Sequence, residues 1–212
     1  DPKDRVLVSM TAEGFASETA SESPAPGGGS VSAYVAALGV SLGTMVANLS
    51  SHKAGWDDRW EEFSAWAEKG QQLKDELLFL VDEDTRAFNR IMDAFGLPKG
   101  TEEEKAKRTT AIQDATRYAI EVPFRTMQKA FEAFGIVRAM VATGNPNSVT
   151  DAGVGALCIR AAVIGAYLNV RVNAGGFHDK AFLEKVLPEA EELVRAARDA
   201  EEQILQEVSA KI

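Results

Sequence analysis

Few side chains in this sequence combine the type and the surroundings needed to move a proton or hold a polar ligand. Asp84 is one. In Val81-Asp-Glu-Asp-Thr-Arg-Ala-Phe88 it stands one turn before Phe88, on the side of a predicted helix that carries apolar residues. A carboxylate there is either held in a buried ion pair or hydrogen bond, or desolvated and poised as a base. Its neighbours Asp82 and Glu83 are expected to face outward. Asp151 follows a turn and precedes an apolar helix, where it either caps that helix or serves a pocket. Asn145, Asn147, Asn169 and Asn173 crowd the ends of the same helix. Asn169 and Asn173 share a helical face and suit either hydrogen bonds within a bundle or contacts to a heterocyclic ligand. Lys53 follows another apolar helix. It either stabilises that helix's C-terminus, or holds an anionic ligand tail or serves as an acid.

These groups need a scaffold, and Ser23-Pro-Ala-Pro-Gly-Gly-Gly-Ser30 supplies its most distinctive part. The prolines fix the backbone, the glycines remove every Cβ, and Ser30 stands where a helix can be capped. The segment reads as a rigid approach to a helix start. Either it is only a tight loop, or the bare amides around Gly27, Gly28 and Gly29 let a ligand carboxylate or carbonyl come close. It lacks the spacing of either nucleotide-binding glycine fingerprint.

The following run, Val31 to Ser51, has no charge and is long enough to raise the question of a membrane span. Ser32, Ser41, Thr44, Asn48 and Ser50 make it too polar for lipid, and Ala36, Ala37, Gly39, Gly43 and Ala47 make it thin. Such a helix is expected to be surrounded by others, at a bundle centre or a subunit interface. Ala152 to about Asn173 repeats the style, charged only by Arg160 and Arg171.

Around these lie amphipathic helices. Trp60, Phe63, Ala67, Leu73, Leu77, Leu80, Phe88, Ile91 and Phe95 mark one apolar face from about Asp57 to Phe95. Gly96 to Gly100 stops that helix, and Thr101-Glu-Glu-Glu104 is a capping-box signature for the next, which runs to about Thr143 with Pro123 bending it. Ser9 or Thr11 can cap a short helix through about Ser21, with Phe15 on its buried side, after a lead-in over residues 1–8. The C-terminal part, residues after Gly176, reads as two helical stretches separated near Pro188. No strand-like alternation of useful length occurs. The expected fold is all-α: residues 9–212 as one domain, an up-and-down bundle of five or six helices that dimerises through the bundle.

A net charge of −9 without a basic block argues against nucleic-acid or anionic-membrane partners. Cys158 is the only cysteine, so no intramolecular disulfide can form and a reducing, cytoplasmic setting is expected. Its apolar neighbours Leu157 and Ile159 suggest a buried, inert thiol. His52 and His178 sit in no metal-ligand motif, and no metal site is expected.

The order of motifs carries further. Ser23-Pro-Ala-Pro-Gly-Gly-Gly-Ser30, Ala37-Leu-Gly39, Val81-Asp-x-Asp84-x-x-Ala-Phe88, Leu97-Pro-Lys99, Val122-Pro-Phe124, Gly144-Asn145, Thr150-Asp151 and Gly165-Ala-Tyr-Leu-Asn169-Val-x-x-Asn173 together resemble the cyclodeaminase domain of formiminotransferase-cyclodeaminase. The wider superfamily includes free-standing methenyltetrahydrofolate cyclohydrolases, and the Leu-Pro-Lys segment leans to the cyclodeaminase side. The resemblance implies conversion of 5-formiminotetrahydrofolate to 5,10-methenyltetrahydrofolate and ammonia in histidine degradation. It implies no cofactor beyond the reduced, sometimes polyglutamated, folate substrate. Carried onto this chain, it makes Asp84 and Asp151 a proton acceptor and an electrostatic partner in either order, and Lys53 a tail binder or acid. Pro26, Gly27, Gly28, Gly29, Ser30, Asn145, Asn169 and Asn173 would surround the pterin. It also implies a homodimer with the site between subunits, and a fused or associated formiminotransferase domain. Two rivals remain: hydrolysis of methenyltetrahydrofolate in the same pocket, and a non-catalytic helical oligomerisation module.

Overall fold

The structure, a computed structural model, describes residues 6–212, so the first five positions of the expected lead-in lie outside it. The described chain forms six α-helices: α1 (Ala12–Thr19), α2 (Gly28–Ser51), α3 (Trp60–Gly96), α4 (Glu102–Thr143), α5 (Val149–Ala174) and α6 (Lys180–Ser209). Short 3-10 turns at Asp57–Arg59 and Pro146–Ser148 precede α3 and α5, and no strand occurs among the described residues.

α2 is the axis of the bundle. It packs against α3, α4 and α5, while α6 covers α4 and α5. Its small residues make this possible. A Cβ on Gly39 would lie 3.0 Å from the Cys158 Cβ and from the Gly155 carbonyl oxygen, so only a bare backbone lets α2 and α5 approach so closely. The two helices run antiparallel in one register: Gly28 meets Asn169, Ser32 lies under Gly165, and Gly39 faces Gly155. By length and composition both apolar helices could cross a membrane, but most of α2 and much of α5 lie inside the bundle. Hydroxyls of α2 turn inward onto its own backbone, as Thr44 does to the Val40 carbonyl and Ser50 to that of Val46.

Helix starts follow local chemistry. Thr101 and Glu104 form the reciprocal capping box, and Thr11 accepts from the Gly14 amide to cap α1. Phe15 packs on Tyr34 of α2 at a ring separation of 5.0 Å. Three expectations are corrected. Ser30 does not cap α2: the N-cap is Gly27, and Ser30 lies inside the first turn, fully buried. Pro188 does not divide the C-terminal region, because α6 continues through it. Pro188 and Glu184, whose carbonyl it leaves without a helical donor, are both exposed, so water can satisfy that oxygen. Asp82 and Glu83 do not face outward; they are 6% and 5% exposed.

The reason for that last reversal is tertiary. The Leu7 amide donates to Asp82 Oδ1 at 2.8 Å, tying the segment before α1 to the middle of α3. Glu83 accepts from the Tyr118 hydroxyl of α4 and pairs with Arg86. Conversely, Trp60, Phe88 and Phe95 of the expected α3 stripe are substantially exposed. A second apolar surface is also open, formed by Leu38, Met45 and Leu49 of α2 with Val154, Leu157, Leu168 and Val172 of α5.

Candidate functional site

A cleft of about 130 Å³ opens where the proline-glycine loop enters α2. Pro24, Ala25, Gly27 and Gly28 form one wall. Asp84, Thr85, Phe88 and Ile91 of α3 form another, and Ala119 of α4 with Asn169 and Asn173 of α5 complete it. Four separate chain segments therefore converge on one small polar depression.

Asp84 is set into it by the start of α2. Its Oδ2 accepts from the Ser30 backbone amide at 2.9 Å and lies 3.3 Å from the Ser30 hydroxyl. That hydroxyl has one proton, and the Val81 carbonyl at 2.8 Å is its nearer acceptor, so the amide is the principal tether. Gly29 is indispensable to this arrangement, because any Cβ there would fall inside the Asp84 carboxylate. Burial pushes the Asp84 carboxyl above its usual range, and the hydrogen bonds from Ser30 offset only part of that push. The result is a half-buried carboxylate held by an uncharged donor, with the character of a general base.

The two asparagines are equally constrained. Asn169 donates its amide to the Gly165 carbonyl at 3.0 Å, and Asn173 donates to the Ala119 carbonyl at 2.8 Å. Each is left with its side-chain carbonyl oxygen as the acceptor it can offer a ligand.

Of the residues singled out from sequence, Gly27, Gly28, Asp84, Asn169 and Asn173 line this cleft. Pro26, Gly29 and Ser30 stand behind it: Pro26 and Gly29 are buried, and Ser30 anchors the carboxylate. Lys53, Asn145 and Asp151 are not brought here within one chain. The Asn145 amide donates to Ser50 Oγ at 2.8 Å, which fixes the start of α5 beside the end of α2. Ser50 lies about 30 Å along α2 from Ser30, at 1.5 Å per residue. At that far end Lys53 Nζ rests 4.8 Å from the centre of the Trp56 ring, and Asn145 Oδ1 accepts from the Asn147 amide at 3.1 Å. Asp151 sits half-buried in the first turn of α5, not at its N-cap, which is Ser148. A wider groove of about 510 Å³ lies near this end, bounded by Asn48 of α2, by His52 just after it, and by Gln71 and Lys74 of α3.

Sequence reading missed the cluster beside Asp84. Burial works to raise the Glu83 pKa, but the Tyr118 hydroxyl, then Arg86 and Arg90, outweigh it and hold the carboxyl below its usual range. Tyr118 is pushed up by burial and by the same Glu83 bond. Adjacent carboxylates on one helix are thus driven in opposite directions. The available sequence signal was the run Asp82-Glu-Asp84 itself, since three successive carboxylates span too much of a helix's circumference to be solvated together. Cys158, half-buried against α2, has its thiol pushed up by burial, in keeping with an unreactive side chain. Among the described residues no cluster of three or more His, Cys, Asp or Glu converges as a metal would require.

Known proteins share this architecture. The chain is similar to methenyltetrahydrofolate cyclohydrolase from Methylorubrum extorquens, at 37% identity over 95% of this chain and 97% of the relative. It is 31% identical to formimidoyltransferase-cyclodeaminase from Mus musculus over 93% of its length, but it spans only 39% of that longer protein. The crystal structure of formiminotetrahydrofolate cyclodeaminase from Thermotoga maritima superposes with a TM-score of 0.78 over 97% of this chain and 96% of the other. At 24% identity that likeness speaks for the fold. The sequence profile of the formiminotransferase-cyclodeaminase family matches residues 11–192, which takes in the glycine turn, Asp84 and both cleft asparagines, and the chain belongs to that folate-related family.

Proposed function

We propose that the cleft beside the glycine turn binds a reduced folate and that the chain is a formimidoyltetrahydrofolate cyclodeaminase. Asp84 carries the proposal: a carboxylate raised by burial and fixed by a backbone amide in the one cleft where the glycine turn and the asparagines meet. In the reaction, N10 of the folate attacks the carbon of the protonated formimino group on N5. The new N10–C bond closes a five-membered ring, and the bond from that carbon to the terminal nitrogen breaks. The proton lost by N10 is the one the departing nitrogen needs to leave as ammonia, so one carboxylate can accept it and pass it on. The net positive charge is conserved, passing from the formimino group through the nitrogens of the tetrahedral intermediate to the methenyl bridge, and an ionised Asp84 nearby stabilises it.

Hydrolysis of the methenyl bridge is the second reading. It is favoured by the cyclohydrolase relative that this chain matches nearly end to end. There the same carboxylate would take its proton from water. Measuring ammonia release from 5-formiminotetrahydrofolate against loss of methenyl absorbance decides between them: stoichiometric ammonia supports the cyclodeaminase, and methenyl consumption without ammonia formation from the formimino substrate supports the hydrolase.

The open apolar surface of α2 and α5 supports a homodimer. A two-fold axis perpendicular to α2 and passing beside its middle would set the two copies of that helix antiparallel. Each cleft would then approach Lys53 of the partner subunit and Asp151 of the partner subunit, which are too far away within one chain. In that arrangement Lys53 holds the anionic tail of a polyglutamated folate and Asp151 is the electrostatic partner of Asp84. A reducing, cytoplasmic setting and a fused or associated formiminotransferase domain belong to the same reading.

A further inference from the structure

α4 contains a proline whose consequence reaches the cleft. Pro123 has no N–H, so the carbonyl four residues earlier, that of Ala119, loses its helical donor. At Pro188 the equivalent loss is harmless because Glu184 faces water. Pro123 and Ala119 are buried, and a buried carbonyl without a donor is costly. Asn173 supplies the donor: its Nδ2 binds the Ala119 oxygen at 2.8 Å, across from α5 to α4. A main-chain carbonyl only accepts, so this bond also fixes which edge of the carboxamide is which. The NH2 edge faces α4, and Oδ1, which accepts from no other group among the described residues, is left for a ligand in the cleft that Asn173 and Ala119 both line.

We propose that Pro123 is a positioning residue for the ligand site. By withholding a helical N–H it reserves the Ala119 carbonyl for Asn173, which locks the Asn173 amide with its oxygen outward. Asn169 is locked in the same sense by the Gly165 carbonyl. The cleft therefore presents two oriented carboxamide oxygens beside Asp84, which select N–H donors on the ligand. Resting on the reading that a reduced pteridine occupies the cleft, the inference makes its ring N–H and amino groups the edge that is recognised.

The test is a double-mutant cycle of Pro123→Ala and Asn173→Ala in the full chain. It is read by the Kd of tetrahydrofolate in calorimetry, by kcat, and by hydrogen exchange of the Asn173 side-chain amide in NMR. Alanine at 123 restores the helical N–H, which competes for the Ala119 carbonyl. Pro123→Ala is expected to weaken binding about 5- to 10-fold, the value of one oriented hydrogen bond, with kcat little changed and Tm unchanged or higher. In the Asn173→Ala background the same change is expected to do nothing further. Exchange of the Asn173 amide protons is expected to speed up in Pro123→Ala. Equal losses in both backgrounds, or an Asn173 amide indifferent to residue 123, would overturn the inference. If the wild-type protein binds no tetrahydrofolate, it is the folate reading that fails, and the exchange measurement alone then decides whether Pro123 positions Asn173.

Discussion

Asp84 hangs from the backbone amide of Ser30, 54 residues away in sequence, at 2.9 Å, and the bond exists only because Gly29 leaves room for the carboxylate. Removing the charge while keeping the acceptor is the direct test. Asp84→Asn is expected to lower turnover by roughly 100-fold or more if Asp84 moves the proton. Circular dichroism should be unchanged, since an asparagine oxygen can still accept from Ser30. Near-normal turnover would remove Asp84 from the scheme.

The pH dependence has a definite sign. Burial raises the Asp84 pKa in the folded protein above the unfolded value of about 3.9, so the native state binds the proton more tightly. Asp84 therefore favours folding at low pH, and that contribution disappears as pH rises through its folded pKa. Activity that needs the ionised form runs the other way and is lost as pH falls through the same value. The acid limb of the kcat profile should lie above the ordinary aspartate range. A limb at or below it would mean that another group controls the rate.

Glu83 behaves oppositely, because Tyr118, Arg86 and Arg90 hold its pKa down. Its contribution to stability is complete above the unfolded glutamate value and is lost as pH falls through the depressed folded value. Glu83→Gln should cost about 1–3 kcal/mol at neutral pH, the loss of charged hydrogen bonds at a buried site. The difference from wild type should shrink in acid denaturation series. A pH-independent difference would show that packing, not charge, is at stake.

Glycines should divide sharply. Gly29→Ala places a methyl inside the Asp84 carboxylate and is expected to destabilise by about 1–3 kcal/mol while abolishing most activity. Gly135 is exposed in the middle of α4 with open space at its Cβ position, so Gly135→Ala is expected to stabilise by about 0.5–1 kcal/mol. Urea denaturation of the pair checks both.

The open face of α2 gives a test that leaves the cleft untouched. Leu38 is 46% exposed, outside both the cleft and the far-end cluster. Leu38→Glu is expected to give a monomer in sedimentation with helicity unchanged, and to cut turnover if Lys53 and Asp151 act from the partner subunit. An unaltered sedimentation coefficient with full activity would dismiss the proposed dimer face.

Much of the scaffold was legible because its causes are local. The capping box at Thr101 and Glu104, the thin uncharged helices and the 3.6-residue stripes depend on neighbours within a few positions, and the six helices formed where those signals lie. Most misreadings came where a distant partner decided. Nothing near Asp82 or Glu83 announces Leu7 or Tyr118, and nothing near Ser30 says that its hydroxyl will seek Val81 instead of capping. Phe88, counted in the core by its spacing, became a wall of the cleft.

Taken alone, the sequence determined an all-α chain, its glycine turn, and the residue types available for proton transfer and for holding a heterocycle, since composition and periodicity are properties of the chain itself. Only the tertiary structure decided that Asp84, Asn169 and Asn173 share a cleft while Lys53, Asn145 and Asp151 lie at the other end of α2. The physical reason is the antiparallel register of α2 and α5: glycine-to-glycine contact aligns Gly28 with Asn169 and the end of α2 with the start of α5, and that alignment is set by packing between segments far apart in the chain.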